Sequence, residues 1–167
     1  MLLPRKMLTT QSAYREALLE HVFLGALLIP YWKQNWPQRI EVSRPRVDDA
    51  GYDLILEANR TIRHVQLKAS YETSKVARHD VHVRLAEKPG GCVVWVVFDS
   101  DFRLTPFYWF GGKAGQPLPA ISGFPYAKST RADSLGRKKD RTSLHRVPRS
   151  AFKRVDTLEQ ITNLLFD

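Results

Sequence analysis

The sequence predicts an α/β fold, a mixed central sheet flanked by helices, from three observations. A long helix-forming stretch lies near the N-terminus, two period-two runs joined by a two-residue link follow it, and a near-continuous apolar run occupies residues 91–99. Composition agrees, because 43% hydrophobic and 26% charged residues among 167 are the proportions of an ordinary globular domain. One domain is expected over 1–167, with a core at 10–110, a basic loop-rich region at 111–150 and a C-terminal helix at 151–167. At this length roughly 70% of the unfolded surface can be buried without disulfide or metal support. The single cysteine, Cys92, forms no internal bridge and points to a reducing, cytoplasmic setting.

The first helix is expected from Thr10 to about Ile29, with its stripe at Ala13, Ala17, Leu24 and Leu28 and with Pro30 as its boundary. Its apolar stretch, Ala17 to Tyr31, contains Glu20 and His21 and falls short of the roughly 20 apolar residues that span a bilayer, so no membrane partner is expected. Arg5 and Lys6 before that stretch are not expected to make an export signal, because Glu16 and Glu20 interrupt the apolar region. Glu16 and Glu20 share a helix face, and Glu20, between Ala17 and Leu24, needs a partner for its charge.

Arg39–Ser43 reads as a short strand, and Pro45 with Asp48, Asp49, Ala50 and Gly51 makes the turn into a strand at Tyr52–Glu57. Thr61–Ala69 alternates again, and the Asn59-Arg60 link makes the pair a hairpin. Lys75–Glu87 reads as a helix crossing to a parallel strand, although Val81, Val83 and Leu85 alternate. Gly91–Asp99 is a central strand covered on both faces, and Arg103–Phe110 is a strand kept to an edge by Pro106. Gly111–Ser150, rich in Gly and Pro, reads mostly as loop, and Thr157 with Gln160 has capping-box spacing before the last helix.

The net charge of +9 favours a polyanionic partner. Lys128–Arg149 holds eight basic residues against Asp133 and Asp140, a net +6 that is two thirds of the excess, and so decides where such a partner is expected. Lys128, Arg131, Arg137, Lys138, Lys139 and Arg141 suit phosphate contacts, with Phe124 and Tyr126 nearby for stacking. A solvated flexible loop is the alternative.

A two-residue link sets Ala58 against Thr61 and therefore Asp53 against Gln66, with Lys68 on the same face. A three-residue link would reverse that parity. Of ten lysines only Lys68 has Asp, Glu or Gln two positions before it. A carboxylate, a carboxamide oxygen and an ammonium thus gather on one sheet face, with Glu20 or Glu16 available from the helix. A solvated polar strand face is the other reading.

In these residues the chain resembles the PD-(D/E)XK nuclease superfamily, whose core sets a helix bearing Glu before strands bearing Asp and Glu-x-Lys or Gln-x-Lys. The match lies in Glu20, in Asp53 within Asp48 to Leu56, and in Gln66-Leu67-Lys68, and it covers about residues 13–99. The Gln-x-Lys form is most similar to the branch of Mrr-type restriction and archaeal-like repair nucleases. The longer runs Arg63–Ser70 and Leu85–Cys92 also resemble a bacterial family of unknown function.

The resemblance implies a restriction-endonuclease-like core and Mg²⁺- or Mn²⁺-dependent hydrolysis of phosphodiester bonds, with DNA as the expected partner. It implies Asp53 as principal metal ligand, joined by the Gln66 side chain, the Leu67 carbonyl and Glu20, with Lys68 at the attacking water. Glu20 is preferred to Glu16 for its apolar flanks. Gln66 in place of the usual Glu removes one negative charge from the ligand set, so a nuclease-fold module that binds nucleic acid or a protein without cutting is the alternative.

His64 shares the strand face of Gln66 and Lys68, where it either meets a phosphate or sits as a plain sheet-face histidine. His79 and His82 lack a third ligand for zinc, and Gly111-Gly112-Lys113 lacks the order of a P-loop. Trp32, Trp36, Tyr108 and Trp109 read as core, with a place beside a groove as the alternative, and Cys92 as an inert buried thiol.

Overall fold

A computed structural model describes residue 7 and residues 10–47, 49–132 and 134–167. Arg5, Lys6, Asp48 and Asp133, which figure in the sequence reading, lie outside the described residues.

Helix α1 (Ser12–Asn35) is followed by β1 (Glu41–Ser43), β2 (Leu54–Ala58) and β3 (Thr61–Tyr71). Then come β4 (Arg78–His82), the one-turn helix α2 (Val83–Ala86), β5 (Gly91–Phe98) and β6 (Leu104–Gly111). β7 (Tyr126–Ala132), β8 (Lys138–Pro148), β9 (Lys153–Val155) and α3 (Leu158–Phe166) complete the chain. A six-stranded mixed sheet runs β1-β2-β3-β5-β6-β9, with β3 and β5 parallel and the other neighbours antiparallel. A second sheet of three strands runs β4-β8-β7.

One face of the large sheet is covered by helices. Phe23, Leu24, Leu27 and Tyr31 of α1 and Ile161, Leu165 and Phe166 of α3 pack on Leu54, Leu56, Val65, Val94, Val96 and Trp109. The stripe of α1 is therefore 19, 23, 24, 27 and 31, and the expected Ala13 and Ala17 are exposed. The helix also continues past Pro30. That proline is exposed, and the turn after it is held by Tyr31, whose ring lies 5.8 Å from Phe166, so packing carries the helix beyond the missing N–H.

The opposite face carries a sheet where helices were expected. Val93, Trp95 and Phe110 pack against Val81 of β4, Leu85 of α2, Val147 of β8 and Phe152. Lys75–Glu87 is accordingly a strand and a single helical turn. The alternation at Val81 decides it, because β4 pairs with β8 from Arg78↔Pro148 to His82↔Leu144 and buries Val81 between the sheets. A parallel crossover needs length, which 72–90 supplies, and does not need a helix. Close approach fixes its end: a Cβ on Gly90 would lie 2.0 Å from the Ile62 carbonyl oxygen.

Within the region 111–150, β7 and β8 form an antiparallel ribbon where loop was expected. β6 is not an edge strand either. β9 pairs with it from Phe107↔Val155 to Trp109↔Lys153, and Pro106 stands just outside that pairing, where its missing N–H leaves no gap. The capping box of Thr157 and Gln160 is present at the start of α3. Trp109 is core, whereas Trp32 and Trp36 are 49% and 70% exposed and pack edge-on to each other at 5.2 Å, which corrects their reading as core.

Candidate functional site

The hairpin turn sets the site. Asn59 and Arg60 both have left-handed φ, 51° and 66°, the geometry of a two-residue turn whose twist matches its strands. Pairing runs from Ala58↔Thr61 to Leu54↔Val65, so Asp53 stands one residue beyond the last paired position of β2. The Asp53 backbone N–H donates to the Val65 carbonyl at 2.9 Å, and its carboxylate Oδ2 accepts the Leu67 N–H at 2.7 Å. β2 ends there, so residues 67–71 of β3 have no strand on that side among the described residues. Strand geometry puts the Leu67 carbonyl on the same open edge as its N–H.

A cavity of about 880 Å³ wraps this edge and reaches both faces of β3. It is lined by Asp53, Gln66, Leu67 and Lys68, by Glu16 and Glu20 of α1, and by His79 of β4. The four side chains read from the sequence as one constellation therefore share one cavity. Glu20 is held by Arg44, whose Nε donates to Oε1 at 2.9 Å and whose Nη2 donates to the same oxygen. That ion pair supplies the partner its apolar flanks demand, and it leaves the Glu20 side chain only 19% exposed. Glu16 is exposed.

Gln66 is 7% exposed, and its Oε1 is buried with no hydrogen-bond partner among the described residues. A carboxamide oxygen left so costs about 1–3 kcal/mol. The cavity lining offers two carboxylates, the Gln66 carboxamide and the main chain of Leu67, whose oxygens are the hard donors that Mg²⁺ and Mn²⁺ take. Among the described residues no three His, Cys, Asp or Glu side chains cluster as a metal site, so any ion here relies on Gln66 and backbone for part of its shell.

Two neighbours were not read as site residues. Ser70 continues the face of Gln66 and Lys68, a step the alternation itself contains, and its Oγ accepts the Trp95 indole N–H at 2.8 Å. His79 arrives from β4, which no local pattern on β3 reveals. Its ring lies edge-on to Trp95 at 4.3 Å, and its Nε2 is buried without a partner among the described residues. Burial, then the charges of Lys68 and Arg149, push the His79 imidazole down to about 4, so it is neutral at pH 7.

The other candidates lie elsewhere. His64 does not line the cavity; it packs edge-on to Tyr52 at 4.8 Å, and burial with nearby Lys88 lowers its pKa. Lys128 and Arg131 sit on β7, Lys138, Lys139 and Arg141 on β8 and Arg137 between the two strands, and none lines the cavity. Cys92 is fully buried, and burial pushes its thiol up to about 12. Among the described residues no helix is long and apolar enough to cross a membrane.

Comparison of the chain with protein-family models, with curated proteins and with solved structures finds no match.

Proposed function

We propose that this chain is a metal-dependent nuclease with a restriction-endonuclease-like core, hydrolysing phosphodiester bonds of DNA with Mg²⁺ or Mn²⁺. One observation carries the reading: Asp53, Gln66, Lys68 and Glu20 line a single cavity at the open edge of β3. The element order supports it, since a helix bearing Glu20 precedes strands bearing Asp53 and Gln66-Leu67-Lys68, and β3 pairs parallel with β5.

Asp53, Gln66, the Leu67 carbonyl and Glu20 would hold the ion, which when bound offsets negative charge on the phosphate oxygens. The Leu67 N–H fixes the Asp53 carboxylate, and Arg44 fixes Glu20. Lys68, two residues from Gln66 on the same face, orients the attacking water and balances phosphate charge. The water oxygen bonds to phosphorus, the bond to the leaving oxygen breaks, and a proton passes to that oxygen.

The test is incubation of supercoiled, linear and single-stranded DNA with the parent, Asp53→Ala and Lys68→Ala in each metal, beside Mn²⁺ titration calorimetry. Cleavage by the parent is expected to fall by about 100-fold or more in both variants. Mn²⁺ binding is expected to be lost in Asp53→Ala and kept in Lys68→Ala. A second reading, a module that binds nucleic acid or a protein partner without cutting, is favoured by the Arg44–Glu20 pair and the neutral Gln66. Salt-sensitive DNA binding with no cleavage in either metal would select it.

A further inference from the structure

We propose that the β7–β8 ribbon is an arm that lies in the major groove of double-stranded DNA and holds the phosphates flanking it. The choice of DNA deepens the nuclease reading and rests on it, while the ribbon geometry stands on its own.

The ribbon leaves the body of the molecule. β8 pairs with β4 only over Leu144–Pro148, so among the described residues Lys138–Ser143 has β7 as its single strand neighbour, and each of those six residues is exposed. On β7 only Ala127 is buried. Its base is anchored, since buried His145 contacts the Phe124 carbonyl through Nδ1 at 2.7 Å and packs on Tyr126 at 4.7 Å. A two-stranded ribbon wet on both faces has no apolar face with which to stabilise itself. Nothing in Lys138–Ser143 provides one.

Its side chains provide charge instead. Lys128, Arg131, Arg137, Lys138, Lys139 and Arg141 stand on it, and Lys128 is paired with Asp140 at 2.5 Å. Alternation puts Lys138 on one face and Lys139 with Arg141 on the other, so both faces are basic. A flat acidic surface would meet only one of them. A groove with phosphates along both walls meets both at once.

Width chooses the groove. Two strands about 4.8 Å apart, with their side chains, fit the major groove of B-form DNA, about 12 Å wide, and overfill the minor groove, about 6 Å wide. The major groove of A-form RNA is deep and too narrow to admit them. Reach then connects the arm to the cavity. Val147 pairs with His79, which lines the cavity, and Lys139 lies eight residues further along β8, about 26 Å at 3.3 Å per residue. That is less than one turn of B-DNA, about 34 Å, so one duplex can touch both.

The test is binding, read by fluorescence anisotropy without metal across a salt series, with duplex DNA, single-stranded DNA and duplex RNA as probes. The parent is compared with a ribbon variant, Arg131→Gln, Lys138→Gln, Lys139→Gln and Arg141→Gln, and with a body variant, Lys33→Gln, Arg103→Gln, Lys113→Gln and Lys153→Gln. Both lose the same charge, and circular dichroism checks that each is folded. The ribbon variant is expected to lose about 100-fold in duplex DNA affinity, and its salt slope to fall by about 3. The body variant is expected to stay within about threefold, and single-stranded DNA and duplex RNA to bind the parent at least about tenfold more weakly. Guanine N7 groups in the complex are expected to be protected from dimethyl sulfate, which reads the major groove. Equal losses in the two variants, equal affinity for the three probes, or no binding would overturn the arm. Binding that behaves as expected beside absent cleavage keeps the arm and overturns the nuclease.

Discussion

His79 is held neutral by its surroundings, and that has a sign in pH. Its pKa falls from the usual 6.5 to about 4 because burial and the charges of Lys68 and Arg149 disfavour the imidazolium. Below pH 6.5 the unfolded chain binds a proton that the folded chain refuses, so this contribution to stability is present above 6.5 and is lost as pH falls toward 4. With a discount for partial exposure the full effect is about 2 kcal/mol. In His79→Gln, urea unfolding is expected to show a loss between pH 7 and pH 5 about 1.5 kcal/mol smaller than in the parent. Identical pH slopes would show that the imidazole is not the group concerned. Residues of one strand pair were legible because strand parity is strict: Asn59-Arg60 set the register of β2 on β3, and Asp53, Gln66 and Lys68 line one cavity beside it. His79 was not, because its place depends on β4 folding over a strand about ten residues before it.

At the scale of elements, α3 closes the helical face and is locked there by a buried arginine. Arg63 is fully buried; its Nε donates to the Leu165 carbonyl at 2.7 Å, and its Nη2 donates to Leu164 at 2.9 Å and Gly112 at 3.2 Å. The Leu164 and Leu165 carbonyls belong to the last turn of α3, where a cation also meets the negative end of the helix dipole. The guanidinium lies over Trp109 at 5.3 Å as well. Arg63→Met is expected to orphan these carbonyls and cost about 3 kcal/mol, a fall in Tm of about 6–12 °C by calorimetry. Thr157→Ala at the other end of the same helix removes one cap and is expected to cost about 1 kcal/mol. Equal losses from the two would show that Arg63 acts as no more than an ordinary cap. Elements with apolar periodicity or strong caps were legible, as α3 and β5 illustrate. β4 was read as helix because five residues hold only one fully buried position, Val81, too little to separate the two periods. β7 and β8 were read as loop because exposed strands carry no apolar signal at all, only backbone pairing.

Across the whole molecule the two sheets share one strand as their backing. All eight residues of β5 are buried, with β3 and β6 beside it, helices against Cys92, Val94 and Val96, and the smaller sheet against Val93 and Trp95. This continuous burial is why the central strand could be read from Gly91–Asp99. The second sheet could not, because its extension into solvent is specified by charge and pairing. The same contrast fixes how the molecule opens. Amides of β5 lie inside every cooperative contact of both layers and are expected to exchange hydrogen only through global unfolding, whereas those of Lys138–Ser143 need only the ribbon to part. Hydrogen exchange followed by mass spectrometry is therefore expected to show 93–96 slowest and 138–143 faster by several orders of magnitude, with added duplex DNA slowing the ribbon and leaving β5 unchanged. Ribbon amides as slow as β5 would mean that the arm is part of the cooperative core, and a rigid, self-stabilised ribbon would have no need of the groove to order it.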